Sequence, residues 1–227
     1  TIRTASRFRR MGDCPAGVTC DVGHTCDVPP PVVTTPPDGS TTGLTQPPIE
    51  PGKTFVYEFV ARRPGTFMYH PHADEMVQMA MGMMGFWITH PRLENGRKHA
   101  LIDDVDRDFV FLLNAYDIDP GSYTPKIMTM LDFNLWSWNS RIFPGIDSLN
   151  VRHMDKVRIR IGNLTMTNHP IHLHGHEFIV TVTDGGPTPK AARWPEVTTD
   201  IAVGQMRQVE FLADVTGGAT NYVDKSR

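Results

Sequence analysis

Residues 169–176 read His-Pro-Ile-His-Leu-His-Gly-His, and four imidazoles within eight residues constrain this chain more than any other feature. Such a run is stable only where the rings have ligands or polar partners, because desolvating several imidazoles without them is costly. Upstream, Tyr69-His70-Pro71-His72 supplies a second His-x-His pair. In an extended chain residues i and i+2 face the same way, so both rings of a pair can reach one ion. Two such pairs predict a shared metal centre. Imidazole serves copper, zinc and iron alike, so spacing has to decide between them. Helical zinc sites place histidines four apart. Here the spacings are two and three, in sequence that reads as extended, and no His-Glu-x-x-His frame is present to serve a metallohydrolase. Copper fits best. His90, His99 and His153 stand alone and read as ordinary surface or core residues.

The sequence around these motifs reads as strand rather than helix. Thr54-Phe55-Val56-Tyr57-Glu58-Phe59-Val60 alternates at period two, as does Val157-Arg158-Ile159-Arg160-Ile161. Further strands are expected at 85–89, 108–113, 177–183 and 207–213, separated by turns such as Asp184-Gly185-Gly186-Pro187. The predicted fold class is all-β. A hydrophobic fraction of 40%, 21% charged residues and a net charge of −3 are ordinary for a soluble globular chain and imply no nucleic-acid partner. The sequence has no apolar run of about 18 residues, so no membrane partner is expected. It also shows no charged and apolar leader, so the chain reads as a mature form or as one lacking its beginning.

These motifs together resemble the multicopper oxidases, the family of laccases and bacterial copper-resistance oxidases. The resemblance rests on the 169–176 run, on Met-Tyr-His-Pro-His at 68–72 followed by Gly-Met-Met-Gly-Phe-Trp-Ile at 82–88, and on Gly-Leu-Thr-Gln-Pro-Pro-Ile-Glu-Pro-Gly at 43–52. It extends over residues 38–214. It implies cupredoxin-like Greek-key β-sandwiches and copper as cofactor. Carried over residue by residue, it makes His169 a ligand of the type-1 copper and His172 a ligand of the type-2 copper. His174, His70 and His72 become ligands of the type-3 pair, while His176 matches the motif without being a ligand in relatives. The implied chemistry is one-electron oxidation of a small-molecule or metal-ion reductant, a phenol, an amine or a metal, with dioxygen reduced to water. Asp74 and Glu75 follow the His-Pro-His pair and are candidates to relay protons to bound oxygen, against the plainer reading of solvent-exposed turn carboxylates.

Spacing narrows the subtype, because a three-domain relative needs a whole middle domain between these motifs. Only 43 residues lie between Pro91 and Leu135, less than half of a β-sandwich of about 100 residues. The chain therefore resembles the two-domain multicopper oxidases. In those relatives the trinuclear cluster forms where subunits of a homotrimer meet, a heterologous contact that closes into a ring. The expected division is residues 1–37 as a Pro- and Cys-containing coil extension and 38–91 as the C-terminal part of a first cupredoxin module. Residues 92–134 then form a linker whose Asp103, Asp104, Asp106 and Asp108 are simply solvated, and 135–227 form a second module. Of the two modules, at least one is incomplete.

The two ends depart from the family pattern. The His-Trp-His-Gly motif expected ahead of Asp38-Gly39 is absent; the nearest substitute is His24-Thr25-Cys26, and Cys14, Cys20 and Cys26 could equally form one disulfide with one thiol spare. The family's His-Cys-His would fall near Tyr222-Val223-Asp224, none of which replaces the thiolate on which a blue type-1 site depends. The expectation is a laccase-type oxidase, truncated or divergent at both ends and impaired as written. The alternative is a non-catalytic copper-binding or copper-tolerance protein that keeps part of the trinuclear site; a copper nitrite reductase fits less well. Family habit implies a periplasmic or extracellular location. Finally, Met76, Met79, Met81, Met83 and Met84 crowd nine residues. Thioethers suit Cu(I), yet methionine is also a flexible core filler, and core packing is the favoured expectation.

Overall fold

The computed structural model describes residues 49, 51–57, 59–61, 63–72, 75–90, 105–127, 129, 131–184 and 186–215. The chain divides into two units, Thr1–Arg62 and Arg63–Arg227. In the first unit the alternating stretch at 54–60 forms no strand among its described residues, and Phe55, Val56, Tyr57, Phe59 and Val60 are all exposed. Alternation marks a half-buried strand only where a ladder partner and a covering layer exist. The rings of Phe55 and Tyr57 instead meet edge to face, 5.0 Å between centroids.

The second unit is built almost entirely of strands. In chain order these are β1 (Gly65–Tyr69), β2 (Gly85–Thr89), β3 (Arg107–Tyr116), β4 (Leu135–Trp138), β5 (Lys156–Asn163) and β6 (His169–His172). They are followed by β7 (Phe178–Thr183), β8 (Gly186–Pro187), β9 (Pro195–Glu196), β10 (Thr198–Ile201) and β11 (Met206–Leu212). One short helix, α1 (Glu75–Ala80), lies between β1 and β2. The main sheet runs β4-β3-β5-β11-β7-β8, with β9 also on β7. Its pairings are antiparallel except β3 with β5, which run parallel.

Two further strand pairs cover this sheet. On one face, Phe111, Leu113, Val157, Ile159, Ile161, Phe178, Val180 and Val209 pack against Ile201 of β10, with Ile171 of β6 and Leu173 half-buried beside them. Period-two alternation along each strand puts these side chains on one side, and the antiparallel β6–β10 pair forms the opposing layer. Strand β6, which begins the histidine run, is thereby anchored to the core.

The other face carries Arg158 and Arg160, which a simple in-and-out reading of β5 places in water. They are 2% and 1% exposed. The β1–β2 hairpin provides the cover: Arg160 Nη1 donates to Thr66 Oγ1 at 2.6 Å, and the Phe86 ring lies against Gly162. Arg160 grips both oxygens of Asp108, at 2.9 Å through Nε and 2.8 Å through Nη2, and Arg158 Nε donates to Glu210 Oε1 at 2.8 Å. Residues 107–116, inside the stretch expected to be a linker, are thus the strand β3 next to β5. Its acidic residues are not merely solvated. Asp108 neutralises the buried arginines, and Asp106 Oδ2 accepts from the Lys156 amide at 2.8 Å; Asp103 and Asp104 fall outside the described residues.

A Cβ on Gly162 would stand 2.8 Å from the Phe86 ring. Gly162→Ala is therefore expected to cost about 1–3 kcal/mol by overpacking, read from urea unfolding. An unchanged midpoint would mean that the hairpin can shift away from β5 without penalty.

Candidate metal centre

Strand geometry separates the first two histidines of the 169–176 run. His169 and His172 are three residues apart on an extended strand, so they point to opposite faces. His169 shares its side with the core-facing Ile171 and is half-buried, whereas His172 is exposed. One ion cannot be held by both. The next ring, His174, lies on the His172 side, and their centroids are 4.9 Å apart.

Hydrogen bonds fix which nitrogen each ring offers. His172 Nδ1 lies 2.8 Å from the Val197 carbonyl oxygen and 2.7 Å from Thr198 Oγ1. A carbonyl can only accept, so Nδ1 carries the proton and Nε2 keeps the lone pair. His169 is held the other way round, with Nε2 at 2.8 Å from Thr165 Oγ1. The single Thr165 hydroxyl proton is drawn to Asn163 Oδ1 at 2.8 Å or the Thr167 carbonyl at 2.9 Å, so the threonine accepts from His169 and leaves Nδ1 free to ligate. Burial lowers the His169 pKa, outweighing the opposing pull of Asp200. The ring is kept neutral, the form a metal needs.

On the β1–β2 hairpin, His70 and His72 follow directly on β1, with centroids 4.8 Å apart. His70 Nδ1 lies 3.1 Å from the Pro71 carbonyl oxygen and 3.1 Å from Glu75 Oε1. Both are acceptors when Glu75 is ionised, so Nε2 again bears the lone pair. Orienting an imidazole through its second nitrogen in this way is the usual supporting arrangement around histidine-ligated metals. Glu75 therefore stands at the first site as a ring-orienting carboxylate; Asp74 lies outside the described residues.

The sequence leads one to expect that the two pairs share one centre. The structure gathers the rings two by two. Among the described residues no group of three or more His, Cys, Asp or Glu side chains is placed to hold a metal ion. Of the isolated histidines, His90 is exposed and His153 is an exposed residue whose Nε2 lies 3.2 Å from the Asp214 carbonyl oxygen; His99, Cys14, Cys20, His24, Cys26 and Tyr222-Val223-Asp224 fall outside the described residues. Sequence reasoning missed Thr165, Val197 and Thr198 as orienting groups. Thr165 sits four residues before His169 and could have been suspected, but the Val197 and Thr198 contacts reach across 25 and 26 residues and left no local signal.

The layered strands, carrying two pairs of neighbouring imidazoles, match the cupredoxin-like fold of solved multicopper oxidases. Two family models, both described as multicopper oxidase, match residues 33–94 and 119–221. The chain belongs to the multicopper oxidase family, whose cofactor is copper. It is 29% identical over 158 residues to Laccase-1 of Emericella nidulans, covering 68% of this chain and 23% of that protein. It is 27% identical over 135 residues to a probable nitrite reductase-hydroxylamine oxidoreductase fusion protein of Kuenenia stuttgartiensis, covering 58% and 15%. Among solved structures, the multicopper oxidase mgLAC superposes with a TM-score of 0.64 at 27% identity, over 77% of this chain and 54% of that one. The chain thus spans under a quarter of these two curated relatives and about half of the solved structure.

Proposed function

We propose that this chain is the copper-holding part of a laccase-type oxidoreductase, in which His70, His72, His172 and His174 bind the oxygen-reducing cluster and His169 binds a type-1 copper. The observation that carries this reading is the tautomer assignment. His70 and His172 each present Nε2 because Nδ1 is tied back to protein acceptors, whereas His169, on the opposite face of β6, presents Nδ1. Donor chemistry and orientation fit copper. When bound, copper supplies one-electron transfer from a phenol, an amine or a metal ion, with four electrons and four protons converting dioxygen to two waters. The protein's own part is to hold neutral imidazoles in fixed tautomers. Glu75, bonded to His70 and exposed to solvent, can pass protons inward from water.

The chain's histidine pairs call for partners beyond those described within it. We infer that the pairs meet across subunits of a homotrimer, a reading supported by their two-by-two grouping. The described residues include no cysteine, so His169 has no thiolate beside it among them. The proposal accordingly includes impaired turnover for this chain by itself. A protein that binds copper without oxidising anything is the alternative. The family further suggests a periplasmic or extracellular home.

Copper reconstitution followed by metal analysis, EPR and visible spectroscopy tests this reading. The expected result is Cu(II) uptake with nitrogen hyperfine structure and no intense blue band, with His172→Ala plus His174→Ala removing much of that uptake. An intense blue band would overturn the impairment, since that colour requires a thiolate on copper. Absence of copper uptake would overturn the metal centre itself.

A further inference from the structure

The β1–β2 hairpin covers the arginine-bearing face of the main sheet around Arg160 and Gly162. Farther along the same strands, and among the described residues, that face opens into a groove of 360 Å³, a volume within the range of small-molecule sites. Strand register fixes its direction. Lys156 of β5 stands opposite Leu212 of β11, and Glu210 of β11 stands opposite Ile179 of β7. Residues directly opposite share a face, and Glu210 marks this one by its bond to Arg158. The groove therefore crosses the strands, and two strand spacings give its floor a length of about 10 Å. Val105, Ile179 and Leu212 make that lining apolar. Its charges are uneven. Glu210 Oε1 accepts from Arg158 Nε at 2.8 Å and from Gln208 Nε2 at 3.0 Å, so this carboxylate is already matched. Lys156 has the Asp106 carboxylate beside its own backbone, 2.8 Å from its amide. Arg193 differs from both. Its Nε donates to the Thr188 carbonyl at 3.2 Å, which steadies the side chain, and among the described residues no carboxylate pairs with its guanidinium.

We propose that this groove binds a small aromatic monocarboxylate, with Arg193 holding the carboxylate and the ring lying across Ile179 and Leu212. Three observations converge on that class. The lining is apolar, so the body of the ligand is apolar. A floor of about 10 Å across two strand spacings suits one or two fused rings. One unmatched guanidinium calls for one negative charge, and its planar fork of donors fits a carboxylate. A cation would meet Arg193 unfavourably, and a neutral ring would leave its terminal nitrogens without a strong acceptor. No histidine lines the groove, so this site stands or falls independently of the copper centre.

Calorimetric titration of the full chain with 2-naphthoate, against its neutral isostere 2-naphthamide, tests the site. The expected result is one equivalent of naphthoate bound, roughly tenfold more tightly than the amide, the factor of a charge-assisted hydrogen bond at a partly exposed position. Arg193→Gln keeps a polar side chain without the charge and should erase that preference. Leu212→Trp fills the floor of the groove and should abolish binding of both probes. Because Leu212 is 38% exposed, this second variant should keep the parent's unfolding midpoint, which circular dichroism checks. Copper-free and copper-loaded chains should bind naphthoate equally, since a carboxylate captured by the metal would need copper. A preference that survives Arg193→Gln, binding that survives Leu212→Trp, binding that requires copper, or no binding by the parent chain overturns the proposal.

Discussion

Asp108→Ala is expected to destabilise the second unit by about 1–3 kcal/mol in urea unfolding, because it leaves a buried guanidinium short of acceptors; the 31% exposure of the Asp108 side chain keeps the loss below that of a fully enclosed pair. Among the described residues, the substitution leaves Arg160, 1% exposed, with Thr66 Oγ1 as the remaining side-chain acceptor for its guanidinium protons, and deprives Arg158 of its 3.3 Å contact with Asp108. The cost comes from the stranded charge and not from any large net value of the pair. A control follows from the same reasoning. Asp108→Leu combined with Arg160→Met removes both charges, leaves Arg158 with Glu210, and should recover most of the loss. A double variant as unstable as the single one would show that the ion pair contributes net stability by itself.

Phe178→Ala is expected to cost about 3–5 kcal/mol, because a fully enclosed aromatic ring is replaced by a cavity that the surrounding strands fill only in part. Phe178 is 1% exposed and opens β7 within the core cluster. It also stands just after the 169–176 run, so the same variant should loosen the segment that carries His172 and His174. Trp136→Ala is the comparison. That ring is larger but 46% exposed, and its loss should cost distinctly less. Equal losses at the two positions would mean that the core is not where the packing places it.

Much of the second unit could be read from its sequence for a local reason. Gly85–Thr89, Lys156–Asn163, Phe178–Thr183 and Met206–Leu212 fall on or within two residues of the expected strands, because each is a short β-rich run bounded by turn residues. The histidine pairs were legible too, since a spacing of two on extended backbone dictates adjacent rings whatever the tertiary fold. What the sequence hid depends on distant partners. Arg158 and Arg160 look like a water-facing edge until a hairpin from residues 65–89 covers them. Asp108 looks like one of several loop acids until β3 is seen to lie beside β5. The 54–60 stretch failed in the opposite sense, having the right alternation while its described residues form no strand and stay exposed. The methionines were expected to fill the core, and their exposure in the structure argues against that, because a thioether's packing role depends on neighbours that its local sequence does not reveal.

The parallel pairing of β3 with β5 also governs how the molecule comes into being. Parallel neighbours cannot be joined by a tight turn, and here about fifty residues separate paired positions such as Arg107 and Val157. The Arg160–Thr66 bond spans 94 residues. Closing such long loops precedes any reward from the contacts they allow, which places folding in the slow, millisecond-to-second regime of non-local β proteins. The β7–β11 ladder closes over much shorter stretches, with Arg207 opposite Thr183, and can form ahead of the hairpin, whose docking must wait for the paired arginines. The His70–His72 pair, carried by that hairpin, then reaches its place after the His172–His174 pair.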